Sequence, residues 1–180
     1  TPGGAVLPGG TTTQVLDAAT LATVRQFRSL AGTNRNCAGG TTPWGSWLTC
    51  EEDTTRKGEG AGRDHGWVFE VPASATGLVD PVPLTAMGRF NHEAAAVDPA
   101  TGIVYLTEDR DDGLLYRFVP NQPGKLALGG RLQALAVRGL PDSRNREMEA
   151  GRLSVRKPKS VRWIDLDDVE SPQDNLRLRG

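Results

Sequence analysis

The sequence predicts an all-β fold, a β-propeller assembled from repeated antiparallel hairpins, and three observations carry that prediction. Gly (22) and Pro (12) are frequent in the 180 residues, so turn formers recur too often for long helices. A strand–turn–strand pattern appears at Gln14–Leu30 and again at Ala95–Thr107. A strand that ends in carboxylates and is followed by a partner strand ending at Pro also appears twice. The offset between those two units is about 47 to 58 residues, the range of a four-stranded propeller blade.

Taken in order, Gln14 to Leu21 reads as a short strand, followed by a polar turn and then Val24 to Leu30 in rough alternation. Asp17 to Thr20 resembles a helix start, since Asp is a good N-cap, but the second copy favours a hairpin. In that copy Asp98-Pro99 and Thr101-Gly102 supply turn chemistry, and Ile103 to Thr107 has the β-branched and aromatic content of a strand. Trp47 to Asp53 leads through a Gly-rich loop into Gly66 to Pro72, and Tyr105 to Asp109 leads through a tighter loop into Gly113 to Pro120. Ser160 to Leu166 is a further strand of the same kind. At the usual blade length the chain holds about three blades, an incomplete propeller forming a single partial domain over residues 1–180, since closure needs at least about four. The competing architecture is a β-sandwich whose hairpins resemble one another by chance. Arg56 to Asp64 reads as a mobile surface loop, and the densely charged Arg144 to Lys159 as a solvated insertion.

Composition excludes several functions. Lys and Arg (21) balance Asp and Glu (22), so there is no broad cationic field for nucleic acid. No apolar run approaches the roughly 20 residues of a membrane span. The start, Thr1-Pro2-Gly3-Gly4, has neither an initiator Met nor a signal peptide, and reads as the start of an excised piece. Cys37 and Cys50 are open to two readings: one disulfide closing a short loop, or a ligand and a buried thiol.

Polar residues gather at Asn34 to Gly40 and at the strand ends Glu51-Glu52-Asp53, Asn91-His92-Glu93 and Glu108-Asp109-Arg110. Equivalent strand ends of successive blades converge at one mouth of a propeller. Several ionised carboxylates sharing such a place need a cation between them. Carboxylate and amide oxygens suit Ca2+, whereas a thiolate favours a transition metal, so Cys37 among acids suggests a mixed cluster. Glu93, between His92 and an apolar run, stands out as a functional acid; Glu51 and Asp53 read equally well as solvated turn residues. His92 and His65 read as packed, hydrogen-bonded histidines.

Asn36 to Glu52 (NCAGGTTPWGSWLTCEE), Gly88 to Asp98 (GRFNHEAAAVD), Tyr105 to Arg110 with Leu115 to Pro120, and Val161 to Asp165 together resemble the PhoX-type alkaline phosphatases over nearly the whole chain. The resemblance implies a six-bladed propeller exported by the twin-arginine route, periplasmic or secreted and monomeric, that hydrolyses small phosphate monoesters. It also implies an oxo-bridged cluster of Fe3+ and Ca2+. Carried over by position, Cys37 binds iron and Glu93 is a bridging carboxylate, so these two are the expected catalytic residues. Asn36, Glu52 and Glu108 are the expected further ligands, with the choice between Glu51 and Glu52 open because adjacent strand residues face opposite sides. Arg35 and Arg110 flank the ligand motifs; surface salt bridges are favoured over phosphate contacts for both. The family's later blades lie beyond Arg179-Gly180, so the site is expected to be partial and these residues alone to turn over little. Two rivals are a non-catalytic Ca2+-binding scaffold and a propeller hydrolase of another class, such as a lactonase.

Overall fold

A computed structural model describes residues 5–140, 142–143 and 156–179. Their regular structure is all β apart from three short 3-10 turns. The strands are β1 (Gly9–Leu16), β2 (Thr23–Thr33), β3 (Asn36–Thr41), β4 (Ser46–Glu51), β5 (Val68–Pro72), β6 (His92–Val97), β7 (Val104–Glu108), β8 (Leu115–Pro120), β9 (Gly130–Val137) and β10 (Val161–Asp165). They form a β1-β2 hairpin, a three-stranded β3-β4-β5 sheet and a five-stranded β6-β7-β8-β9-β10 sheet. Every strand pairing is antiparallel and joins sequence neighbours, the up-and-down meander of a propeller blade. An incomplete propeller is therefore the fold. Ser160 to Leu166 does contribute a strand, but β10 pairs with β9 from Val161↔Val137 to Asp165↔Gln133 and widens an existing sheet.

Alternation explains the strands. Val104 and Leu106 of β7, Tyr116 and Phe118 of β8, and Leu132 and Ala134 of β9 are buried, each pair two residues apart and so on one face of its strand. They share a core with Leu48, Cys50 and Val68 of the smaller sheet and with Phe90. The sheets meet where β3 lies along β6. A Cβ at Gly40 would stand 1.9 Å from the carbonyl oxygen of Ala95, so only glycine permits this approach.

The two hairpin turns are chemically the same. Asp17 Oδ1 accepts from the Thr20 N–H (2.8 Å) and hydroxyl (2.8 Å). Asp98 accepts from the Ala100 N–H (3.1 Å) and the Thr101 hydroxyl (2.6 Å). Local capping by Asp17 ends β1 at Leu16 and turns the chain where a helix could have begun. The turns differ at one left-handed position, occupied by Gly102 (φ 73°) in one and Leu21 (φ 58°) in the other. Leu21 is 72% exposed, so its side chain offsets little of the strain. Leu21→Gly should therefore raise the unfolding free energy by about 0.5–1 kcal/mol, a left-handed penalty of about 1–2 kcal/mol less the extra chain entropy of glycine. Urea denaturation of the two proteins side by side measures it; an unchanged midpoint would count against the strain.

The loop Arg56 to Asp64 is anchored despite its glycines. Arg63 donates to the carbonyls of Gly32 (2.7 Å) and Pro81 (3.2 Å), Lys57 N–H bonds Asp64 (2.8 Å), and Ala61 is fully buried. Of the charged segment, residues 144–155 lie outside the described residues, and Arg156 to Lys159 are exposed.

Candidate metal centre

The site rests on a defect that the two blades share. Along β3, Asn36 pairs with Glu51 and Gly39 with Thr49, so Cys37 and Ala38 together oppose one residue of β4. Along β6, His92 pairs with Glu108 and Ala95 with Leu106, so Glu93 and Ala94 oppose one residue of β7. Each is a β-bulge, a device that re-aims side chains out of the regular alternation. Because β3 lies against β6, the two bulges bring together residues 56 positions apart. The Cys37 thiol donates to Glu93, with Sγ 3.5 and 3.6 Å from the two carboxylate oxygens. Glu52, just past the end of β4, completes the group: one donor atom from each of Cys37, Glu52 and Glu93 lies within 4.8 Å of the others.

The structure also separates Glu51 from Glu52. Glu51 points into the blade and is fully buried. It accepts from the backbone N–H groups of Asn34 (2.7 Å), Gly66 (2.7 Å) and Trp67 (3.1 Å), and His65 Nδ1 lies 2.8 Å away. Its neighbour Glu52 therefore faces the cluster, as strand alternation requires. Asp53 caps its own turn through the Thr55 N–H (2.7 Å).

The other expected ligands are held elsewhere. Asn36 spends both ends of its amide inside the blade, accepting from the Thr33 hydroxyl (2.5 Å) and donating to that of Thr49 (2.9 Å). Glu108, the pseudo-repeat partner of Glu51, accepts from the Tyr116 hydroxyl (2.8 Å) and the Leu114 N–H (3.2 Å). Sequence reasoning passed over Asp109, whose side chain hydrogen-bonds Glu52 across the blade boundary. The repeat carried the signal: aligning Glu51-Glu52 with Glu108-Asp109 makes Asp109 the counterpart of Glu52.

The electrostatics follow from this crowding. The hydrogen bond to Asp109 raises the Glu52 pKa, with lost hydration adding to it. Lost hydration, then the Glu93 carboxylate, lifts the Cys37 thiol above its ordinary range, against the opposing Ala38 N–H. Burial pushes Cys50 up to about 12, which leaves it an inert thiol. Both cysteines are free, so the disulfide reading is not realised. Burial also raises Glu108, opposed by the Tyr116 hydroxyl and the Leu114 N–H. Arg35 pairs with Glu52 (3.4 Å) and Arg110 with Asp174 (3.5 Å), the surface salt bridges expected of them. His92 is sealed in the core, its Nε2 3.0 Å from the Gly88 carbonyl oxygen and its ring stacked on Phe90 at 3.6 Å.

Two carboxylates and a thiol converging here make a donor set that fits a cation, because their anionic forms repel one another without one. The sulfur suits a transition metal and the oxygens a hard cation. Fold and site thus define the class: a blade-built all-β protein with a mixed sulfur–oxygen cluster where two blades meet. Within that class the chain belongs to the family described as alkaline phosphatase PhoX, whose model matches residues 8–178. No curated protein matches it. Among solved structures it is similar to Pseudomonas fluorescens PhoX in complex with vanadate, a transition state analogue, with 24% identity and a TM-score of 0.47. That match covers 85% of this chain and 32% of the other, so the chain spans about a third of the relative's length.

Proposed function

We propose that the chain, as one partial propeller domain, contributes the Cys37–Glu52–Glu93 part of a metal-dependent phosphomonoesterase site. The observation that carries the reading is the convergence of those three side chains in a member of the PhoX family. Cys37 and Glu93 would hold the metal from the paired bulges, and Glu52, steadied by Asp109, would close the cluster from the end of β4. On ligation the Cys37 thiol would release its proton to solvent, leaving the Glu93 carboxylate, 3.5 Å from the sulfur, ionised and free to bind the metal. Fe3+ and Ca2+ bound there would supply Lewis acidity to the phosphate oxygens of a small monoester and offset charge developing on them. A thiolate ligand favours this mixed pair over a pure Ca2+ scaffold or a Ca2+-only lactonase. Among the described residues no helix is long and apolar enough to cross a membrane. Export by the twin-arginine route to the periplasm or medium, and action as a monomer, belong to the same proposal.

The test is hydrolysis of a chromogenic phosphate monoester at alkaline pH, with and without chelator. A full-length protein containing this chain should lose turnover in chelator and regain it with iron plus calcium, while residues 1–180 alone show little. Metal-loaded full-length protein that leaves a broad monoester panel untouched would replace the phosphatase reading with a binding module.

A further inference from the structure

The segment 166–179 runs from the end of β10 back over both blades, and it is fastened to each. The Arg89 N–H bonds the Val169 carbonyl (2.8 Å), Leu176 enters the core, and Arg177 pairs with Asp112 (2.9 Å). Buried Arg89 donates to the carbonyls of Ser171 (3.3 Å) and Thr54. Asp168 (φ 47°), Ser171 (φ 40°) and Asp174 (φ 54°) are all left-handed, a conformation that costs non-glycine residues free energy and persists where surrounding contacts impose it.

Asp174 is where the strap meets the site. Its Oδ2 accepts from the Thr54 hydroxyl (2.9 Å) and lies 3.5 Å from Arg110. Thr54 is two residues past Glu52, and Arg110 directly follows Asp109. Arg110 also donates to the Asn91 side chain (3.3 Å), and the Asn91 carbonyl accepts the Asp109 N–H (3.0 Å), two residues before Glu93. One carboxylate outside the cluster therefore ties the chain carrying Glu52, from the first blade, to the chain carrying Asp109 and Glu93, from the second.

We propose that Asp174 is a positioning residue that acts through Thr54 and Arg110 to hold Glu52 against Asp109 at the blade boundary. The inference rests on the metal reading only for its purpose; the clamp itself is a property of the polypeptide. Neutralising Asp174 frees the two loops to separate, which loosens the cluster before it loosens the sheets.

Amide hydrogen exchange on the metal-free full chain reads the clamp directly. The Glu52 N–H bonds the Arg35 carbonyl (3.1 Å) and the Asp109 N–H that of Asn91, so both report the loops. In Asp174→Ala these two amides should exchange about tenfold faster or more, with the central amides of β4, β7 and β8 unchanged. Affinity for Co2+, followed by the thiolate charge-transfer band from Cys37, should fall about 10–100-fold, the usual effect of losing an outer partner of a ligand. Asp174→Asn keeps an acceptor for Thr54 and tolerates the left-handed backbone, so it should restore most of both signals and serves if the alanine variant folds poorly. Unchanged exchange at Glu52 and Asp109, or equal loss of protection throughout the strands, overturns the proposal. An unaltered chain that takes up no Co2+ removes the metal reading, and the exchange data still decide the role of Asp174.

Discussion

Glu51→Ala is expected to lower the unfolding free energy by about 3–5 kcal/mol, the cost of leaving buried partners of a charged group unpaired. Three backbone N–H groups and the His65 ring converge on this one carboxylate, which has no exposed surface. Alanine leaves all four facing a cavity. Glu51→Gln should fall between, because the amide retains one acceptor oxygen and turns an NH2 toward groups that themselves donate. Urea unfolding measured by tryptophan fluorescence gives both values, and Trp67, whose N–H is one of the four, lies at the break. An alanine variant within about 1 kcal/mol of the parent would mean that water satisfies the orphaned donors. At the other end of the range, this one change removes a large share of the roughly 5–15 kcal/mol that stabilises an ordinary domain.

Acidification should weaken the fold through His92, and the sign follows from its burial. Burial lowers its pKa from 6.5 to about 4, opposed by the Gly88 carbonyl. Above pH 6.5 the ring is neutral in both folded and unfolded chains and the penalty is absent. As pH falls below 6.5 the unfolded chain takes up the proton first, so stability declines until pH about 4, where the folded ring titrates too. At about 1.4 kcal/mol per pKa unit the full decline is about 3 kcal/mol. Chelator-treated protein unfolded in urea across this window isolates the effect from metal release. His92→Leu, which has no proton to gain, should flatten the slope; an equally steep slope in that variant assigns the acid sensitivity to other groups.

The strands were legible in the sequence because their signals are local. Period-two burial in β7 and β8, the Asp-capped turns and the Pro-terminated hairpins need only a few neighbouring residues to be read. Cys37 and Glu93 were legible as candidates through motif chemistry, but their 3.5 Å meeting was not. It depends on two bulges and a close backbone approach at Gly40, and none of these leaves a periodic trace. The parity of Glu51 and Glu52 was undecidable from sequence, since it turns on where β4 ends and on three N–H donors brought from Asn34, Gly66 and Trp67. At Glu108 the sequence shows only a carboxylate at a strand end, which has the same appearance whether it faces a cation or a buried tyrosine. Asp174 left no mark at all, because its partners lie 120 and 64 residues away.

The paired bulges have a consequence for how such a centre can change over time. Cys37 and Glu93 occupy one address in two copies of a single template, each the residue after the first bridge of the edge strand that opens its sheet. Backbone geometry fixes the address, and side-chain identity alone decides whether sulfur or oxygen is delivered there. An asymmetric donor set can thus arise from a symmetric scaffold by single substitutions, with no remodelling of the sheet. Transposing the two residues, glutamate at 37 and cysteine at 93, would conserve the inventory of donors while reversing which blade presents the soft one. Chemistry and architecture are separately heritable here, and a lineage could revise the first while leaving the second untouched.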